Sequence, residues 1–412
     1  MRVVAVADTD SYVKWAAALV ADARVDGRLL VLDTELVVSD AQLASALTGT
    51  GLAADRVRRA SLDELPGALA GADVVLAAAR GPVARVIART AGRLDPRPVI
   101  ATGLPGISIP PTWLALHFRR ECDLFVLHSH REVREFERLA GERGVAQRFA
   151  LATLPFARVA EPRDAAAPSG TDLVFAAQAI VPREAPQRAA LARVLVDAAR
   201  ADPARRVVVK LRGRTGEAQT HREFVSYPDL LARMGDVPPN LVVSYAPMSE
   251  ALATAEGLVT VSSTAAIEAA ASGVPVIALD AFGVDEQLIN TVFVGSGLLA
   301  GADDVVARRL RSPEREWLAD NYFHDPAEDT WVAAAAELVA RRAAGALAAR
   351  EGGPGFGGRA REAWDRRLAL GNRDRTPGGI AALVVGMPVR FALRLTRRAA
   401  NLLAGAGRRA RA

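Results

Sequence analysis

The 412-residue chain is half apolar and one quarter charged, which places it among globular proteins, and a prior of roughly 150 residues per domain asks for two domains and an extension. A single cysteine, Cys122, excludes a disulfide framework or thiolate cluster within one chain. The net charge of +5 hides an asymmetry: after Asp374 come eight arginines and no acid, so residues 1–374 set 44 basic groups against 47 acidic ones, a net −3 that removes the main support for a nucleic-acid-binding body.

In the first 156 residues, β-branched runs alternate with helical patterns: VVAVA (3–7), RLLVLD (28–33), DVVLAAA (73–79), PVIATG (98–103) and DLFVLHS (123–129). Apolar strands separated by helices predict a parallel sheet covered on both faces. After the first run, Ala7-Asp8-Thr9-Asp10-Ser11 places two carboxylates at the carboxyl edge of that sheet. Asp8 or Asp10 there is a candidate general base for an acceptor hydroxyl, a task that needs hydrogen-bond reach and a suitable pKa. The competing reading is an N-cap for the helix SYVKWAAALVADA. The Gly/Pro loop TGLPGISIPP (102–111) and the junction LHSHREVREF (127–136) end at the same edge. His128 and His130 are further candidate bases, since an unperturbed histidine titrates near neutrality. Two histidines at i, i+2 without a third ligand are poor evidence for a metal, and no G-x-S-x-G elbow supports a hydrolase. No metal and no cofactor are expected.

Residues 157–170 are rich in proline, charge and small side chains and read as a linker. The rhythm then repeats over residues 171–345: DLVFAAQ (172–178), RRVVVKL (205–211), NLVVSY (240–245), GLVTVSS (257–263) and VPVIALD (274–280), with helices such as QRAALARVLVDAARA (187–201) and SEALATA (249–255) between them. Two doubly wound domains of this kind face a cleft at the carboxyl ends of their strands, where such sheets bind ligands. Lys210, one of only two lysines, ends a strand there, and Arg212 and Arg214 flank Gly213. Cations so placed suit a phosphate-bearing leaving group; a solvated loop is the alternative. His221 reads as an ordinary polar helix start. In TVSSTAAIEAAASGVPVIALD, Ser262, Ser263 and Thr264 stand where a helix begins, a position that fits both a cap and an anion cradle. Glu268 lies one turn on, and Gly273 and Pro275 end the helix.

Ser263-x-x-x-x-Glu268-Ala269 followed by Gly273-x-Pro275-Val276-Ile277 resembles the donor-nucleotide segment of glycosyltransferases of the GT-B fold. The SST turn especially resembles capsule-type polysialyltransferases, ulosonic-acid transferases and CDP-glycerol glycerophosphotransferases, and the chain as a whole is similar to an uncharacterised glycosyltransferase family of high-GC bacteria. The resemblance implies two Rossmann-like domains in α/β architecture. The C-terminal one would bind the donor nucleotide through Lys210, Arg212, Ser262, Ser263, Thr264 and Glu268. The acceptor would lie against the N-terminal loops around Asp8, Asp10 and His128. Those relatives often carry His-Pro where this chain reads Lys210-Leu211-Arg212, so no histidine role carries over.

Residues 346–378 read as a flexible linker, opening on EGGPGFGG, and 379–412 as a basic amphipathic tail with Arg390, Arg394, Arg397 and Asn401 on one stripe. Such a helix can lie on an anionic membrane surface; packing on the body is the alternative. No run reaches the ~18 apolar residues of a membrane span, and Met1 leads straight into a strand rather than a signal sequence. The expected protein is a cytoplasmic transferase, peripheral at the inner face of the membrane, passing a sugar from a nucleotide-sugar (a CMP-activated ulosonic acid by the SST resemblance) to a cell-surface polysaccharide or glycolipid. No nucleic-acid partner is expected. The competing readings are a sugar-nucleotide epimerase and a non-catalytic nucleotide-sugar-binding protein.

Overall fold

The computed structural model describes residues 1–157, 170–211, 225–347, 358–386 and 388. Among these residues thirteen strands form two sheets, parallel throughout. The first holds β1 (Arg2–Ala7), β2 (Asp26–Leu32), β3 (Val57–Ala60), β4 (Val74–Ala78), β5 (Val99–Gly103), β6 (Leu124–Leu127) and β7 (Phe149–Leu151), in the order β3-β2-β1-β4-β5-β6-β7. The second holds β8 (Asp172–Ala176), β9 (Val207–Lys210), β10 (Leu241–Ser244), β11 (Ala255–Thr260), β12 (Val276–Leu279) and β13 (Leu299–Ala300), in the order β10-β9-β8-β11-β12-β13. Ten strands coincide with the apolar runs. The other three, β3, β7 and β13, lie at sheet edges: β3 carries Arg58 and Arg59, and β7 and β13 are only three and two residues long.

Central strands such as β4 and β8 are buried along their whole length. Helices therefore cover both faces of each sheet, because a parallel sheet leaves no polar face for water. On the first sheet, the helices Asp10–Val20 and Trp331–Ala343 pack on one side and Leu65–Leu69 and Gly81–Gly92 on the other. Helix 331–343 follows the second domain in sequence but buries Trp331, Ala335 and Leu338 in the core of the first. Gly103 is obligatory here, since a Cβ would sit 2.4 Å from the Trp15 indole.

The linker expected over residues 346–378 is corrected in part. Residues 358–370 form a helix, Gly358–Leu370, packed on helix 81–92 through buried Asp365, Ala369 and Leu370. Glycine-rich composition ends at Gly358, and besides Arg361 one turn away, Asp365 pairs with Arg85 and Arg89, which lie far away in the chain. A further helical stretch covers 377–386, on which Ile380, Val384 and Val385 are exposed. Arg390, Arg394, Arg397 and Asn401 lie outside the described residues, as do Arg212, Arg214 and His221. No helix among the described residues is long and apolar enough to cross a membrane.

Candidate functional site

In sheets of this strand order, ligands bind where neighbouring crossovers leave in opposite directions. That switch point lies between β1 and β4 in the first domain and between β8 and β11 in the second. A side-chain pair spans each of them. In the first, Arg80 Nε donates to Asp8 Oδ2 at 2.7 Å and the Arg80 backbone N–H to Oδ1 at 3.1 Å. Burial pushes the Asp8 carboxyl above its ordinary range, and the Arg80 guanidinium pulls it back. Asp8 is completely enclosed and is a structural carboxylate at the switch rather than an open base. Asp10 is the first residue of its helix, behind Thr9 at the N-cap, and is partly exposed. Its carboxylate suits the positive end of the helix dipole, and among Asp8, Asp10 and His128 it is the one open to a substrate.

His128 is corrected as a candidate base. Its ring is fully buried, with Nδ1 2.7 Å from the Ala152 carbonyl oxygen and Nε2 2.6 Å from Trp15 Nε1. Nε2 also lies 3.0 Å from the Leu104 carbonyl; because an indole N–H can only donate, Nε2 accepts from it and Nδ1–H donates to Ala152, the neutral tautomer. Burial lowers its pKa, in keeping with that form. His130 is partly exposed and pairs with Glu328 at 2.9 Å.

The residue at the centre of this region is Glu132, which the sequence reading passed over. Ser129 caps the helix His130–Glu142 by accepting from Glu132 N–H at 3.0 Å. The buried Glu132 carboxylate accepts from His128 N–H at 2.9 Å, Ser108 N–H at 2.9 Å and Tyr322 O–H at 2.7 Å. It thereby ties the loop after β5, the junction after β6 and the segment returning from the second domain. Burial and the Glu132 charge raise the Tyr322 pKa far above its usual value, so the phenol stays a donor.

Two histidines make stability depend on pH. His117 is held at about 4 by burial and by the nearby Arg85, and His128 is lowered by burial. Both folded pKa values lie below the unfolded value near 6.5, so the unfolded chain binds protons first. The contribution is complete above pH ~6.5 and declines as pH falls toward about 4. The melting temperature should therefore drop between pH 6.5 and 5, less steeply in His117→Gln. A flat profile in the wild type would contradict this assignment.

In the second domain, β9, β8 and β11 end side by side and carry Lys210, Gln178 and Ser262 at their carboxyl edge. Gln178 Oε1 accepts from Ser262 N–H at 2.9 Å, and its Nε2 donates to Ser262 Oγ at 3.1 Å. Thr260 Oγ1 donates to the Ala176 carbonyl at 3.2 Å and accepts from Ser263 N–H at 3.1 Å. Ser263 Oγ accepts from Ala265 N–H at 3.2 Å, while Thr264, at the N-cap of the helix Ala265–Ala271, makes no side-chain cap. One hydroxyl thus caps and one is braced across the switch, while the Thr264 methyl faces the first domain: a Cβ on Gly106 would lie 2.8 Å from Thr264 Cγ2. The loops after β5 and β11 therefore meet, and the carboxyl edges of the two sheets face one another. Glu268 is partly exposed one turn along. Lys210 is buried, and Nζ donates to the Leu211 carbonyl. Among the described residues no group of three or more His, Cys, Asp or Glu side chains is placed to hold a metal ion.

Two solved structures with TM-scores above 0.5 share this architecture. A UDP-N-acetylglucosamine 2-epimerase from Listeria monocytogenes, itself described as "putative", matches with a TM-score of 0.53 at 10% identity, over 85% of this chain and 97% of its own. The S. aureus MnaA structure with UDP matches with a TM-score of 0.52 at 10% identity, over 84% of this chain and 97% of that one. A Phytolacca americana UGT2 complexed with UDP-2fluoro-glucose and pterostilbene gives 0.46 at 12% identity, over 75% and 89%. The fold is GT-B, two Rossmann-like domains across a cleft. A search of curated proteins found no match. Residues 3–338, which take in both sheets and helix 331–343 up to Leu338, match the family described as "Putative glycosyltransferase (DUF6716)", and the chain belongs to that family.

Proposed function

We propose that this protein is a glycosyltransferase that uses a nucleotide-sugar donor. The observation that carries the reading is family membership across both domains of a GT-B fold. The donor's phosphates would lie at the turn Ser262–Thr264, on the switch point between β8 and β11. Ser263 accepts from Ala265 N–H and keeps its own hydroxyl proton to donate. Lys210 and Arg212 would stabilise negative charge on the departing nucleotide. Glu268 would accept hydroxyls of the ribose or sugar, and Asp10 would serve as base for the acceptor hydroxyl, within hydrogen-bond reach once the acceptor is bound. For the donor we infer a cytidine-nucleotide sugar such as a CMP-activated ulosonic acid, on the likeness of the SST turn to capsule-type enzymes, and for the acceptor a cell-surface glycan or glycolipid.

A sugar-nucleotide epimerase is the second reading, favoured by the fold shared with the Listeria monocytogenes protein. Incubation with labelled donors separates the two. Transfer requires an acceptor and leaves label on it, whereas epimerisation proceeds without one. Turnover that ignores acceptor would overturn the transferase reading.

A further inference from the structure

A cavity of about 630 Å³ opens at the amino ends of β1, β2 and β3, on the side of the first sheet away from the cleft's carboxyl edge. Its size is that of a small-ligand site. Four arginines line it: Arg2, Arg28, Arg56 and Arg58, with Asp55 as the one acid among its lining residues. By register, Val4 pairs with Arg28 and Leu30 with Arg58, so both arginines project from the face that elsewhere carries the apolar core. Helix 65–69 has only five residues and leaves this corner uncovered. The wall it presents is small, Gly67, Ala68 and Ala70, and a Cβ built on Gly67 meets nothing within 4 Å.

Arg2 Nη1 donates to the Gly71 carbonyl, and Arg56 is paired with Asp26. Arg28 and Arg58 are exposed, and their side chains make no hydrogen bond or ion pair among the described residues. Asp26 and Glu64 act on Arg28 and Arg58 through charge, but their hydrogen bonds go to Arg56 and Ser61. Strand spacing and rise put the Cα atoms of Arg28 and Arg58 about 8 Å apart, a separation suited to anionic groups on successive sugar rings.

We propose that this cavity is a second carbohydrate site, selective for a carboxylate- or phosphate-bearing stretch of glycan. The glycan nature of the ligand rests on the glycosyltransferase reading; the anion selectivity rests on the arginines alone. Bound there, an acceptor polymer would be held at a point remote from the reacting end.

Calorimetry on the full chain with tetragalacturonate, maltotetraose and inorganic phosphate tests it. Tetragalacturonate should bind, phosphate should displace it, and neutral maltotetraose should not bind. Arg28→Ala combined with Arg58→Ala should weaken binding at least tenfold. Gly67→Leu keeps every cation, favours the helix and puts an apolar side chain on the cavity wall, and should weaken binding by a similar factor. Unchanged binding in Gly67→Leu would reduce the effect to surface charge and overturn the proposal. So would equal binding of maltotetraose, or no binding of tetragalacturonate. Nucleotide titrations of the same variants report the cleft independently, so failure of this site and failure of the transferase reading are distinguishable.

Discussion

Replacing Glu132 by alanine is expected to lower the melting temperature by roughly 6–10 °C, from a loss of about 3–5 kcal/mol. The carboxylate is fully buried and is the shared acceptor for His128 N–H, Ser108 N–H and Tyr322 O–H. Removing it strands two buried donors and a partly buried one, Ser108 N–H, each costing about 1–3 kcal/mol, less what relaxation and entering water recover. Glu132→Gln keeps one acceptor oxygen but turns an amide N–H₂ toward the remaining donors, and should recover about half of the loss. Tyr322→Phe removes a single donor and should cost about 1.5–3 kcal/mol, since its acceptor is a charged group. Scanning calorimetry measures all three. A Glu132→Ala variant that melts within about 2 °C of the wild type would refute the role of this carboxylate as the junction of the two domains.

The second large effect is expected at Asp365. Its carboxylate, 2% exposed, sits 2.9 Å from Arg89 Nη1 and 3.8 Å from the equally buried Arg85. Deleting one partner of a buried pair commonly costs about 3–5 kcal/mol because the other charge is left unpaired. Here the cost should fall near 2–3 kcal/mol, because Glu121 remains 2.8 Å from Arg89 and 3.7 Å from Arg85. The loss should appear as detachment of helix 358–370 from helix 81–92, not as unfolding of the sheets. Limited trypsin digestion should cut Asp365→Ala at Arg359, Arg361, Arg366 or Arg367 at least tenfold faster while the body survives. Equal cleavage rates would show that the ionic cluster does not hold the helix.

Much of the architecture was legible from local pattern. A buried parallel strand is apolar over most of its length, so β4, β1 after Arg2 and β8 after Asp172 announce themselves, and alternation with helices implies the doubly wound order. Edge strands carry no such requirement, and β3, with Arg58 and Arg59, shows no apolar run. Helix 358–370 escaped for a different reason: much of what holds it in place is the pairing of Asp365 with Arg85 and Arg89.

The site divides along the same line. The SST turn and the helix it opens are local, and their hydroxyls can be read off the chain. The partners that brace them are not: Gln178 lies 84 residues from Ser262, Arg80 lies 72 from Asp8, and Tyr322 lies 190 from Glu132. His128 invites a catalytic reading because an unperturbed histidine titrates near neutrality. Trp15, 113 residues away, and the Ala152 carbonyl engage both of its ring nitrogens, and burial lowers its pKa.

The central claim is that a nucleotide-sugar donor binds at the turn Ser262–Thr264. Calorimetric titration of the wild-type chain with CMP, CDP, UDP, GDP and their sugars, repeated on Ser263→Ala combined with Lys210→Met, tests it most directly. Lys210→Met keeps the buried stem of a side chain that is 7% exposed. One nucleotide of the panel should bind, and the double variant should weaken it about tenfold, the equivalent of ~1.4 kcal/mol. Affinity unchanged in the variant, or no binding by any nucleotide of the panel, would contradict the account.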